Sequence, residues 1–322
     1  MLQTIKSFRS TGIFQQLLSM ILVLILTTNS YAADSSDRSA NNSGPILVTI
    51  KPLYSLVAHL TEGVTTPVLL MKQAQSPHHY NMRPSERYLL ANARMIVWLG
   101  PQMESYLSKI IQQQDAAVVI TALNADKLKL LGKRKKHSHE NPESAPVINP
   151  EPDMIDPHVW LSTQNAKAIS KQIAESLISN DPINTEAYRN NLLSLLEKID
   201  QTKDFITTTL KHNKQPFIAF HDAFQYFEEE NGLNQIDSVT HDDETGTSLK
   251  QLRQIMMHID ENNIQCLVYQ EPRPAIVDSL TKQTSIKATA LDPLGLNITN
   301  DKNAWFKIMR QLAVNFSQCL ES

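Results

Sequence analysis

The chain is poor in the residues from which several protein classes are built. Its 322 residues include two cysteines, Cys266 and Cys319, too few for a cysteine-built metal cluster or a disulfide framework. With 8 glycines and 16 prolines it is neither collagen-like nor a low-complexity disordered chain, and it holds no glycine-rich phosphate loop. Neither sign of charge dominates. The 30 Lys and Arg against 33 Asp and Glu leave a formal charge of -3, without the clustered basic excess that nucleic acid requires, so no nucleic-acid partner is expected. Long apolar runs are missing too: Leu17 to Leu26, interrupted by Ser19, falls well short of the ~20 residues that span a bilayer. What remains, 41% hydrophobic and 20% charged residues, is globular composition at a length that suggests two domains.

The short apolar run has another meaning. Lys6 and Arg9 precede it, and Ser30-Tyr31-Ala32 follows with small residues where a signal peptidase reads. Residues 1-32 therefore read as a cleavable secretion signal, cut near Ala32, and the mature protein as soluble. No cysteine follows the apolar core, which closes the lipid-anchored route. An oxidising compartment then favours a disulfide between Cys266, at the start of the strand-like run Cys266 to Tyr269, and Cys319, near the end of the last helical pattern. Two buried free thiols are the alternative.

Along the mature chain, β-rich runs alternate with helical patterns. Leu47 to Ile50, Val68 to Met71, Met95 to Leu99 and Ala117 to Ile120 read as strands, separated by helices over Pro52 to Thr61, Ser85 to Ala93 and Met103 to Gln113. Such alternation predicts a parallel sheet with helices on both faces. A charged, proline-rich stretch, 132-157, reads as a mobile surface loop. After a helix over Ser162 to Ser179, a longer pattern from Asn184 to Lys211 is a candidate spine, and alternation resumes with strands at Phe217 to Phe220, Ile236 to Val239, Leu267 to Gln270 and Ala288 to Leu291. The expected class is α/β: an N-terminal parallel-sheet domain over 33-180, a long rigid linking helix within 181-213, and a C-terminal α/β domain over 214-322.

In open α/β sheets ligands bind beyond the carboxyl ends of strands. His221 and Asp292 directly follow strand runs, His78 and His79 lie in the loop after the second strand, and His158 closes the long polar loop. A lone histidine at a strand end is more often a hydrogen-bonded structural residue, so a site requires convergence. No local zinc signature is present, neither a His-Glu-x-x-His helix nor a paired-cysteine motif.

Five motifs in order are more specific than any one of these residues. Ser76-Pro77-His78 with Tyr80 and Arg83-Pro84-Ser85, then Val97-Trp98-Leu99-Gly100-Pro101, His158-Val159-Trp160-Leu161-Ser162, Phe220-His221-Asp222-Ala223-Phe224 and Leu291-Asp292-Pro293-Leu294-Gly295 resemble the motifs of periplasmic zinc-binding solute-binding proteins of ABC transporters. The resemblance runs from about Val48 to Leu320. It implies two α/β domains joined by a long rigid helix with metal in the cleft between them, and often a cysteine pair matching Cys266 and Cys319. Carried over by position, it makes His78, His158 and His221 metal ligands, with Asp292 at the place that supplies or neighbours a carboxylate ligand, or with water there instead. His79 stands where relatives commonly have Asp, and becomes a possible auxiliary. The histidine-rich loop of zinc carriers shrinks here to His137 and His139, also possible auxiliaries.

Three imidazoles suit tetrahedral Zn2+, whereas manganese sites favour carboxylates and more ligands; manganese-binding relatives carry a carboxylate where this chain has His221. The resemblance thus implies a monomeric, non-enzymatic Zn2+ receptor in the periplasm, delivering its ion to an inner-membrane ABC permease with a cytoplasmic ATPase. A secreted zinc hydrolase with a three-His site, and a manganese-binding or adhesin relative of the same fold, are the alternatives. Because imidazoles bind metal only when deprotonated, affinity is expected to fall below about pH 6.

Overall fold

The structure, a computed structural model, describes residues 44-72, 75-134, 150-240 and 248-321. Two four-stranded sheets form its frame, and all their strand pairs are parallel. In the first half β1 (Ile46–Val48), β2 (Val68–Leu69), β3 (Met95–Trp98) and β4 (Val118–Thr121) lie in the order β2-β1-β3-β4. Helices α1 (Lys51–Leu60), α2 (Pro84–Ala91) and the single turn α3 (Ser108–Ile111) connect them. Strands β1 and β3 are buried along their whole length, as continuous apolar runs covered on both faces should be.

After α4 (Thr163–Asn180) and α5 (Thr185–Thr209), the second half repeats the arrangement. Strands β5 (Pro216–His221), β6 (Asn234–Thr240), β7 (Cys266–Tyr269) and β8 (Lys287–Ala290) take the order β6-β5-β7-β8, with α6 (Gln225–Asn231), α7 (Leu249–Glu261), α8 (Ala275–Thr284) and α9 (Ala304–Leu320) between and after them. Ser162 starts α4 by accepting the Asn165 N–H at 3.1 Å, satisfying one of the donors a helix start leaves open. Gly232 ends α6 in the left-handed conformation, φ +60°, where a side chain would be strained.

Helix α5, 25 residues and so about 37 Å long, packs on α4, α1 and α9. It braces helices of both halves. One apolar core runs through the middle of the molecule, from Ile46 and Val97 past Trp160 and Ile199 to Phe217 and Phe316. Smaller clusters cover the outer face of each sheet. The Cys266–Cys319 disulfide, with Cα atoms 5.4 Å apart, ties the start of β7 to α9.

Two local readings are adjusted by packing. The helix expected over Met103 to Gln113 shortens to a 3-10 turn at Ser105–Leu107 followed by α3, because Glu104 turns back: its N–H donates to Gly100 O at 2.9 Å while its carboxylate accepts the Leu99 N–H at 2.7 Å. The charged stretch 132-157 has anchored ends. Gly132 bridges Ile155, Lys133 N–H donates to Met154 O at 2.7 Å, and Asp156 N–H donates to Leu131 O at 2.9 Å. His137, His139 and the expected secretion signal all lie outside the described residues.

Candidate metal centre

Three elements far apart in sequence bring their histidines to one point. His78 sits in a turn beyond β2, where its N–H donates to Ser76 Oγ at 3.3 Å and the next N–H, of His79, donates to Ser76 O at 3.2 Å. His158 enters a 3-10 turn, Val159–Leu161, and is buried. His221 is the last residue of β5 and also buried. The strand therefore reaches one residue beyond the expected Phe220 and carries the histidine itself.

The ring centroids form a nearly equilateral triangle: 5.5 Å from His78 to His158, 5.7 Å from His78 to His221 and 5.4 Å from His158 to His221. One nitrogen of each ring lies within 4.8 Å of the other two. A tetrahedral ion with bonds of ~2.0 to 2.1 Å separates its nitrogens by about 3.3 Å, so rotamer adjustments of about an ångström suffice to close the set around a metal.

Asp156 prepares one of these ligands. Its Oδ1 accepts both the His158 N–H, at 3.0 Å, and Nδ1, at 2.7 Å. The proton is thereby held on Nδ1 and Nε2 keeps its lone pair for a metal, the usual carboxylate–histidine arrangement behind a metal site. The ring packs on Trp160 at 5.3 Å, whose indole N–H donates to Pro293 O in the second half at 2.9 Å. No pattern of residue types in the sequence marks Asp156 as a site residue, although an aspartate two residues before a histidine is within reach of both its backbone and its ring.

The other candidates fall elsewhere. Asp292 does not join the three-histidine group. Its Oδ2 accepts the Asn297 N–H at 3.4 Å, and it lines a cavity of about 350 Å³ with Gln270, Glu271, Asn297 and Asn315. His79 is exposed, with its ring 6.2 Å from that of His78, and is outside the group. His59 is buried against Phe306, its Nε2 3.4 Å from Ser194 Oγ; burial pushes its pKa down to about 4. It is a core residue. The His258 Nδ1 meets Asp237 Oδ2 at 2.8 Å.

The second half clasps the first around this point. Arg134 Nη1 donates to Oδ1 of Asp222, beside His221, at 2.8 Å, and Nη2 pairs with Glu228. Lys129 pairs with Glu229, and the Thr163 N–H donates to Glu230 Oε2 at 2.7 Å. Tyr226 OH links Asp156 O, at 2.8 Å, to the Leu131 N–H, at 3.0 Å.

Two parallel-sheet α/β halves with three imidazoles converging between them define a metal-binding protein of the two-lobed, cleft type. The chain belongs to the family described as "Zinc-uptake complex component A periplasmic", which it matches over residues 46–319. It is 31% identical over 288 residues to the high-affinity zinc uptake system protein ZnuA of Haemophilus ducreyi, covering 85% of this chain and 93% of that one. It is 29% identical over 294 residues to the protein of the same name from Yersinia pestis, covering 87% and 92%. A crystal structure of ZnuA superposes with a TM-score of 0.72 at 20% identity, over 86% of this chain and 99% of the other.

Proposed function

We propose that this chain is a high-affinity zinc receptor, which captures Zn2+ in the periplasm and delivers it to an inner-membrane ABC permease driven by a cytoplasmic ATPase. It acts as a monomer and catalyses no reaction. The zinc is cargo. His78, His158 and His221 hold it through one imidazole nitrogen each, and water completes a four-coordinate shell while Asp292 stays beside it. Residues 1-32 are the secretion signal, cut near Ala32, and domains 33-180 and 214-322 form the walls of the cleft, linked through 181-213.

The observation that carries this reading is the convergence of three neutral nitrogen donors within 4.8 Å, a set matched to zinc rather than to ions that favour carboxylate. The zinc-uptake names of the relatives support it. A zinc-edge anomalous crystal structure tests it: one ion bound by the three imidazoles is expected, and an ion bound elsewhere refutes the site. A deletion strain is expected to grow poorly under zinc chelation and recover with added zinc. Normal uptake in that strain, with no second importer present, refutes the transport role.

A further inference from the structure

Lys51 is the first residue of α1, yet its side chain serves the other half of the molecule. The half-buried ammonium donates to the carbonyl oxygens of Gly295, Ile298 (2.7 Å) and Leu296 (3.4 Å). All three belong to the turn that begins at Asp292. Internal bonds shape that turn: Gly295 N–H to Asp292 O at 3.4 Å, Ile298 N–H to Gly295 O at 3.0 Å, and Asn297 N–H to Asp292 Oδ2 at 3.4 Å. Gly295 is left-handed, φ +67°, and a Cβ there would meet Ile308 at 2.7 Å. A side chain at Gly295 would thus be strained, and the turn's carbonyls face a cation from the opposite half.

Lys51 and Asp292 also act on each other through space. Burial pulls the ammonium pKa below its ordinary value, and the Asp292 carboxylate works against that fall. Asp292 is thus held by a backbone N–H of its own turn, outside the three-histidine group. A small gap beside Lys51, lined by Met71, Gln75 and Leu294, places this contact next to the segment that leads to His78.

We propose that Lys51 is a selectivity-setting positioning residue: by anchoring the 292-298 turn through its carbonyls, it keeps the Asp292 carboxylate out of the coordination sphere of His78, His158 and His221. The inference rests on the zinc-receptor reading above. An all-imidazole set favours Zn2+, whereas an added carboxylate gives most to Mn2+, which prefers hard oxygen donors and a larger coordination number. Removing the ammonium frees the carboxylate to join the ion, and manganese gains more than zinc.

The test is a double-mutant cycle on the full mature chain, reading Zn2+ and Mn2+ dissociation constants by chelator competition at pH 7.5. Lys51→Met is expected to raise Mn2+ affinity about tenfold while Zn2+ affinity moves less than about threefold, and Asp292→Asn in the same chain is expected to abolish that gain. Lys51→Arg, which keeps the cation, is expected to retain the wild-type ratio. An unchanged ratio in Lys51→Met, or a gain that survives Asp292→Asn, overturns the proposal. If Lys51→Met does not fold, zinc-bound crystal structures of the wild type and of Lys51→Gln decide. Asp292 outside bonding distance of the ion in the wild type but bonded to it in Lys51→Gln upholds the proposal, and the same Asp292 position in both overturns the proposal while leaving the receptor intact. Wild-type protein that binds no Zn2+ overturns the receptor reading itself.

Discussion

The two halves share one strand order, β2-β1-β3-β4 in the first and β6-β5-β7-β8 in the second, but they present histidines differently. In the second half His221 is the end of a paired strand, in register with Thr240 on β6. In the first, His78 and His158 stand on turns, positioned by Ser76 and Asp156. The carboxyl end of an inner strand supplies one ligand, and turns supply two that depend on local side-chain hydrogen bonds.

Their buried carboxylates contrast in the same way. Glu228 in the second half is paired with Arg134. Glu104 in the first is fully buried and accepts the Leu99 backbone N–H, and burial pushes its pKa up to about 7 despite that bond. Burial raises the pKa of both acids, but only Glu228 faces a cation, Arg134 of the first half, that works against the rise.

These differences can be broken one at a time. Replacing His221, His158 or His78 by Ala is expected to lower zinc affinity most, by three to four orders of magnitude, about 4 to 5.5 kcal/mol, in a competition titration. Unchanged affinity in all three variants defeats the site. Cys266→Ser with Cys319→Ser opens a crosslink spanning 53 residues and is expected to cost about 4 kcal/mol of stability on the chain-entropy estimate, read from denaturant unfolding. Zinc affinity should hold, because Cys266 opens β7 at the end opposite the site.

Glu104 has the next effect. Its folded pKa, about 7, lies above the ordinary 4.5, so its contribution to stability is fully present below about pH 4.5 and is lost as pH rises through 7. Relative to a Glu104→Gln variant, wild-type stability is expected to fall by about 3 kcal/mol between pH 4.5 and 9. Equal slopes for the two proteins would refute this. The smallest change is in the first half's supporting hydrogen bond: Asp156→Asn is expected to weaken zinc binding about 10- to 100-fold with little change in fold, and a loss equal to that of His158→Ala would mean that Asp156 is itself a ligand.

Much of the frame was legible because burial on both faces leaves a direct trace. Ile46 to Val48 and Met95 to Trp98 are apolar throughout, and the long helix followed from the apolar residues Leu192, Leu193, Leu195, Leu196, Ile199 and Phe205 after Asp181-Pro182. The strand ends then pointed to His221. The shortened helix after Met103 was not legible, since it depends on Glu104 turning back to Leu99, a contact outside any periodic pattern. Nor was the clasp of Arg134 on Asp222 and Glu228, which joins residues 88 and 94 positions apart.

The sequence by itself determined the alternation of strands and helices, the family motifs and the supply of histidines at strand and loop ends, because these are local patterns of residue type. The motifs named His78, His158 and His221, and the tertiary structure alone showed that the three meet at one point. His78, His158 and His221 come together because two sheets are locked about one core, while Asp292, just as well placed in the sequence, is drawn into its own turn. Coordination depends on distances of a few ångströms between residues far apart in the chain, and those distances exist only once the halves are packed.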